Sequence, residues 1–555
     1  MNTKITRGLL IGLSFIICHL LFSVALTSCT KDLDVTPINP NLDLELDVDG
    51  LFNKCYGNLA LQGNGGANGD CDIDGLDGGT TGFIRQMWNS NELTTDEAIC
   101  HWGDDGIQQF CYNTYDSSHP MLNGYFNRLT TGISYCNHYI EVAGSVDATK
   151  TAEIRFLRAL QYYLMMDAFG GVPFSTTLSV PSYKSRQEIF SWIESELLEN
   201  VEPNLSEPKA KTSSDPMYGR VDKAAAWMLL MRLYLNAEVY TGTAQWEKAA
   251  QYAKKVIDSP YKLNTTGSNG WSAYQMLFMG DNGESSAAQE CIYAVLCDGK
   301  KTTSWGTSLY LIASIWDADM VGNPNDTYVD DEGNTKMNCS NGTSEKWAGN
   351  HARINLVRKF FPNDDAPQVQ AYEMKVAAGD DRALFFGVGH TLMNEKGYLG
   401  DFKDGYAVAK FLNYKSTGPV VMGSDSQFPD ADYFFFRVAE AYLTYAEALT
   451  RQAGGANTTD EATTYINALR SRASNYDQKS SYSLNEVLDE WSREFYFEGR
   501  RRVDLIRFGK FGGDTDYVWA WKGGVKEGRN FQSYKNIFAI PSDQVKGEIK
   551  QNTGY

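Results

Sequence analysis

Three tryptophans stand in polar loops: Trp102 in "CHWGDD", Trp305 in "TTSWGTS" and Trp347 in "SEKWAGN". Most of the 12 Trp, 32 Tyr and 27 Phe belong in a core. An indole among Gly, Asp, Ser and Thr has less reason to be buried. A flat aromatic face covers the C–H surface of a sugar ring, and polar side chains bond its rim of hydroxyls. The three loops therefore read as a platform for a carbohydrate. Arg85, in "GFIRQ", has a guanidinium fork that bonds adjacent hydroxyls or, equally, a local carboxylate such as Asp96.

Two acidic loops suggest a second chemistry. "MGDNGE" carries Asp281, Asn282 and Glu284; "FPDADY" carries Asp430 and Asp432. Clustered oxygen donors of this kind suit a structural Ca²⁺, and they suit solvated loops as well. The cluster "EFYFEGRRRVDLIR" invites an anion site. Its Glu494, Glu498, Arg500, Arg501 and Asp504 are better read as neutralising one another where helix pairs join.

Catalytic signatures are missing. There is no G-x-S-x-G, P-loop or G-x-G-x-x-G, and the six His form no H-E-x-x-H. Glycoside hydrolysis needs two carboxylates about 5–9 Å apart. The 69 acidic residues could supply such a pair, but no motif marks one. The net charge of −19 repels phosphate backbones and argues against a nucleic-acid partner. No enzyme is expected, and no cofactor is required beyond the possible calcium.

The elements that must position these loops are mostly helical. "EIRFLRALQYYLMMDAFGGVP" places Ile154, Leu157, Leu164 and Ala168 on one face and stops at Gly170, Gly171 and Pro173. "DKAAAWMLLMRLYLNAEVYTG" has Asp222 as N-cap and Gly242 past its end. "AQWEKAAQYAKKVIDSP" follows and ends at Pro260. Its Ala249, Tyr252 and Ala253 have the spacing of a tetratricopeptide-type helix pair. Over 433–510, "FFFRVAEAYLTYAEALTRQAGG" reads as a helix ending at Gly454 and Gly455. Thr458 with Glu461, and Ser483 with Glu486, make capping-box spacings before two more helices. Residues 62–125 and 265–430 lack such periodicity and form the expected loop-rich, ligand-binding lobe.

The N-terminus reads as a secretory leader over 1–28, with Lys4 and Arg7 before an apolar run. Leu26, Thr27 and Ser28 precede Cys29 as in a lipobox, so Cys29 is the expected lipidation site, anchoring a tether over 29–45. An ordinary cleaved signal or an uncleaved anchor are the alternatives. Of ten cysteines, eight lie beyond the leader with no C-x-x-C pair. Cys291 and Cys297 flank the strand-like "IYAVL", a poor geometry for bridging each other.

Five stretches in order, "EIRFLRALQYYLMMDAFGGVPF", "FRVAEAYLTYAEAL", "INALRSRA", "EWSREFYFEGRRRVDLIRFGKF" and "IPSDQVKGEIKQNTGY", resemble the SusD/RagB family of nutrient-binding outer-membrane lipoproteins. "GFIRQMWNSNELTTDEAICHWGDD" and "YVWAWKGG" look closer to its starch-binding member. The resemblance implies a mainly α, SusD-like fold: tetratricopeptide-like helix pairs as scaffold, mainly 125–265 and 433–510, in one domain over 46–555. It implies a surface-exposed, lipid-anchored protein of the outer membrane that captures an oligosaccharide or polysaccharide. The partner would be a SusC-like TonB-dependent barrel, with this chain as its lid. A RagB-like peptide or other-glycan binder is the alternative. By the same resemblance Trp102, Trp305 and Trp347 match stacking aromatics and Arg85 a hydroxyl-bonding Arg. Asp104 and Asp105 stand near an amide of the starch-binding member, and Cys100 replaces a further Trp. Asp281, Asp430 and Asp432 resemble its calcium site, where Gly283 replaces one acid.

Overall fold

Helices dominate the computed structural model, which describes residues 47–317, 320, 327–329, 335–337, 341–418 and 421–555. The leader, Cys29 and the tether lie outside the described residues. Residues 48–555 form one compact unit.

The helices Pro120–Ala143 and Ala148–Phe169 pack against each other. The first starts at His119, whose ring nitrogen accepts the Leu122 amide at 3.2 Å. Pro120 then sits where a missing N–H costs nothing. Asp147 caps the second, and Gly170 ends it at φ 75°. Ile154, Leu157, Leu164 and Ala168 are buried as expected, but so are Arg158, Gln161 and Asp167. From Thr151 onward this helix is buried on nearly every side, and several of its polar groups find partners within the core. Arg158, for example, meets Glu196 at 2.8 Å.

The helix Lys223–Leu235 begins at Asp222, which accepts the Ala224 amide. A break at Asn236 leads into Ala237–Thr241, closed by Gly242 at φ 75°. The helix Trp246–Ile257 packs against both Lys223–Leu235 and Val438–Gln452. Ala249 and Ala253, fully buried on that helix, allow the close approach.

The C-terminal block departs from the periodicity in three places. "FFFR" belongs to a strand, Tyr433–Arg437, paired antiparallel with Cys291–Val295; the helix starts only at Val438. Aromatic residues suit a strand buried on both faces. Arg437, at its end, reaches Glu494 at 2.6 Å and Glu498 at 2.8 Å. Second, Thr459 rather than Thr458 caps Asp460–Arg472, accepting the Ala462 amide. Thr458 is engaged elsewhere, taking the Tyr482 amide at 2.9 Å. The Ser483–Glu486 box forms as expected. Third, the last long helix breaks into Leu484–Phe495 and Arg501–Arg507. Phe497 at φ 63° and Gly499 at φ 74° turn the chain between them. The amides freed there, Gly499 and Arg500, donate to buried Glu92.

The charged cluster is structural, but its partners are distant rather than local. Within it only Asp504 is paired, with Arg500 at 2.9 Å and Arg507 at 2.7 Å. Glu494 is held by Arg437, Arg472 and Arg382. Glu498 is held by Lys410 and Arg437, and Arg501 grips Asp96 at 2.7 Å. Spacing along the chain could not show partners that come from other elements.

The lobe carries short elements rather than pure loop. Residues Phe83–Trp88 are helical and Ala98–Cys100 form a strand. That strand pairs antiparallel with Asn350–Ala352, with Cys100 opposite Asn350. The seven cysteines described as free include Cys291 and Cys297.

Candidate functional site

The two-stranded ladder Ala98–Cys100 and Asn350–Ala352 builds the site. Because the strands are antiparallel, the chain leaves Cys100 at the same end where it enters Asn350. The His101 amide extends the ladder to the Gly349 carbonyl at 3.0 Å. Trp102 and Trp347 therefore emerge side by side, although 245 residues separate them. Their rings lie 6.2 Å apart at 60°. The Trp102 indole N–H donates to the Trp347 carbonyl at 3.3 Å.

Gly349 is required here. A Cβ on it would fall 2.0 Å from the Trp102 ring. The ring lies against bare backbone, an approach only glycine allows.

Trp305 joins from just before the helix Ser308–Ala313. Its ring is 6.2 Å from Trp347 at 34°, and its N–H donates to the Ala67 carbonyl at 3.1 Å. The Trp347 amide is fastened to the same helix through the Ala313 carbonyl at 2.7 Å. All three indoles are partly buried and partly open. They form a continuous run: Trp102 beside Trp347, Trp347 beside Trp305.

Arg85 comes to the Trp102 end. Its guanidinium lies 6.0 Å from the Trp102 ring centroid and 5.1 Å from that of Tyr310. It contacts Asp104 at 3.4 Å. The local carboxylate is thus Asp104, not Asp96, which Arg501 and Tyr517 hold inside the core. The Arg85 side chain is 15% exposed and that of Asp104 is 53% exposed, so the pair stands at the surface with donors and acceptors at hand. Asp105 is exposed on the same turn. Cys100 is fully buried and offers no face to a ligand. The structure therefore brings Arg85, Trp102, Asp104, Trp305 and Trp347 to one surface.

Sequence reasoning missed the supports. Tyr310, fully buried, stacks edge-on beneath Trp102 at 6.2 Å and hydrogen-bonds Asn89 and Asn350. Nothing in "SLYLIA" distinguishes it from a core tyrosine. Glu345 accepts the Trp347 indole N–H at 2.8 Å. Gly349, two residues after Trp347, was the one readable signal.

The acidic loops meet elsewhere. Asp281, Glu284, Asp430 and Asp432 line one cavity of about 590 Å³, with Asp215, Asp298, Lys301 and Lys415. Asp281 accepts from the Ser416 amide and hydroxyl, Asp430 from the Ser424 amide and hydroxyl, and Asp432 from the Cys297 amide and Tyr218 hydroxyl. Burial pushes the Asp432 carboxyl up to about 7, with the charges of Asp430 and Glu284 adding to the shift. Its donors are of the kind a hard cation takes. Yet among the described residues no group of three or more His, Cys, Asp or Glu side chains is arranged to hold a metal ion.

No helix among the described residues is long and apolar enough to cross a membrane.

Comparison with known proteins gives four matches. The model of the SusD family matches residues 313–555. The chain is 38% identical to the starch-binding protein SusD of Bacteroides thetaiotaomicron, over 96% of this chain and 97% of that one. Its fold matches a laminarin-binding SusD-like protein with a TM-score of 0.60 and 20% identity, covering 92% of this chain and 99% of the other. It also matches surface glycan-binding protein A of Bacteroides thetaiotaomicron in complex with laminarihexaose, with a TM-score of 0.61 and 18% identity, covering 91% and 98%.

Proposed function

Because this chain belongs to the SusD family, we propose that it is a surface-exposed, glycan-binding lipoprotein that captures starch-like oligosaccharides. It then delivers them to a SusC-like TonB-dependent barrel and closes over it as a lid. It binds and does not cleave.

The observation that carries this reading is the run of three indoles, Trp102, Trp347 and Trp305, with the Arg85–Asp104 pair at one end. Stacking faces in line with a hydroxyl-bonding pair fit successive sugar rings of a chain. Starch is favoured over other glycans because the relative at 38% identity is a starch binder. The laminarin-binding neighbours share only the fold at 20% identity or less.

The test is retardation in native gels containing soluble starch, with laminarin in a parallel gel. Retardation by starch, lost in Trp102→Ala, supports the reading. Retardation by laminarin alone would reassign the glycan. Unchanged mobility in both gels, with folded protein, would overturn it.

Cys29 is proposed as the lipid anchor. A Cys29→Ala chain should leave the membrane fraction; if it stays, the barrel alone retains it. A structural calcium is a subsidiary proposal that rests only on Asp281, Asp430 and Asp432 lining one cavity, although they are not arranged around a common ion there. A rise in melting temperature with added Ca²⁺ supports it, and no change overturns it.

A further inference from the structure

We infer that Glu345, braced by Gln427, is the positioning residue that sets the angle of Trp347 in the platform. The inference rests on the platform reading proposed above.

The backbone of Trp347 is already fixed. Its amide donates to Ala313 at 2.7 Å, and the next residue, Ala348, sits in the left-handed region at φ 50°. Neither contact fixes rotation of the ring. That falls to the indole N–H, which donates to Glu345 Oε2 at 2.8 Å. The other carboxylate oxygen, Oε1, accepts from the Gln427 side-chain amide at 2.9 Å. Glu345 is thus held from its far side while it holds the ring. A hydrogen bond to an ionised acceptor is stronger than a neutral one, and two of them leave the carboxylate little freedom.

Gln427 belongs to a turn built for rigidity. Asp425 Oδ1 accepts the amides of Gln427 at 2.8 Å and Phe428 at 3.1 Å. The carbonyl of Ser426 accepts the Ser344 amide at 2.6 Å, which staples the turn to the Trp347 loop. Phe428 then packs edge-on against Trp305 at 5.1 Å. One turn, residues 425–428, therefore braces two indoles: Trp347 through Gln427 and Glu345, and Trp305 through Phe428. The 34° angle between those rings is set from both sides by this turn. A polysaccharide spanning both rings would meet a fixed curvature rather than two independent side chains. Fixing that curvature in advance lowers the ordering cost of binding.

The conservative variant distinguishes positioning from bulk. Glu345→Gln keeps an acceptor for the indole, and Gln427 can turn its amide to meet the new donor. The experiment is isothermal titration of the full-length chain in detergent with an α-1,4-linked glucose heptamer, melting temperature being the control for folding. Glu345→Ala is expected to weaken binding about five- to tenfold, and Glu345→Gln by less than about twofold. Glu345→Ala added to Trp347→Ala is expected to cost nothing more. The inference is overturned if Glu345→Ala binds as the parent while Trp347→Ala does not, an outcome that leaves the platform reading standing. It is also overturned if the two losses add, since Glu345 would then touch the glycan itself. Parent-like binding by Trp347→Ala would remove the platform reading and this inference together. Should Glu345→Ala fail to fold, Gln427→Leu on the open turn replaces it, with a loss of about two- to threefold expected; unchanged binding by Gln427→Leu overturns the bracing.

Discussion

The indole N–H of Trp102 donates to the main-chain carbonyl of Trp347 at 3.3 Å. Each tryptophan of this pair is partly open to solvent, and the hydrogen bond ties the edge of one to the backbone of the other. The relation depends on the strand pairing of Cys100 with Asn350 and on the bare backbone at Gly349.

Removing either ring should reduce affinity without unfolding the protein. Trp102→Ala and Trp347→Ala are each expected to weaken binding to an α-1,4-glucan about tenfold or more. Both residues are partly exposed, so far-ultraviolet circular dichroism should be unchanged. Titration calorimetry checks the first point.

Gly349→Ala tests the seating of Trp102. The added Cβ would fall 2.0 Å from the ring, so the indole must move. Affinity should fall as far as in Trp102→Ala, although no atom that touches the ligand has been deleted. Affinity equal to that of the parent would mean the ring's seat does not matter.

The buried charge network should be costly to break at one point. Glu494 is fully buried among Arg437, Arg472 and Arg382, whose guanidinium groups hold its carboxyl down to about 2 against the effect of burial. Glu494→Ala removes the one carboxylate all three share, although Arg382 keeps Asp380 and Glu490, Arg437 keeps Glu290 and Glu498, and Arg472 keeps Glu290; the resulting excess of buried positive charge should cost about 3 kcal/mol in urea unfolding. A cost under about 1 kcal/mol would contradict the network's role in joining the strand Tyr433–Arg437 to the C-terminal helices.

Acid should destabilise the fold through its histidines. Burial lowers His119 from 6.5 to about 4 and also lowers His101 and His351. A base whose folded pKa is depressed binds fewer protons when folded, so stability falls as pH drops from about 6.5 towards about 4. His119 alone contributes roughly 3 kcal/mol across that window. His119→Asn keeps a side-chain cap for Leu122 and should flatten the slope, as followed by melting temperature against pH. An unchanged slope would move the effect to His101 and His351.

The scaffold was legible in the sequence because caps and stops are local. Asp222, Ser483, Gly170 and Gly242 stand where the spacing places them. "FFFR" was misread because a strand buried on both faces has no alternation to betray it, and its three Phe also suit a helix. The platform's members were legible from composition alone, since Trp102, Trp305 and Trp347 each sit among small polar residues. Their arrangement was not, because it comes from a strand pairing across about 250 residues. Glu345, Gln427 and Tyr310 have the same sequence surroundings as ordinary loop or core residues. Only their hydrogen bonds and ring contacts set them apart.

The central claim is that the indole run binds a neutral glucose polymer. Titration of the full-length chain with an α-1,4-linked glucose heptamer, beside Trp102→Ala and Trp347→Ala, tests it most directly. The account predicts saturable binding by the parent and a loss of about tenfold or more in each variant. No heat of binding in the parent, or equal affinity in all three proteins, would contradict it.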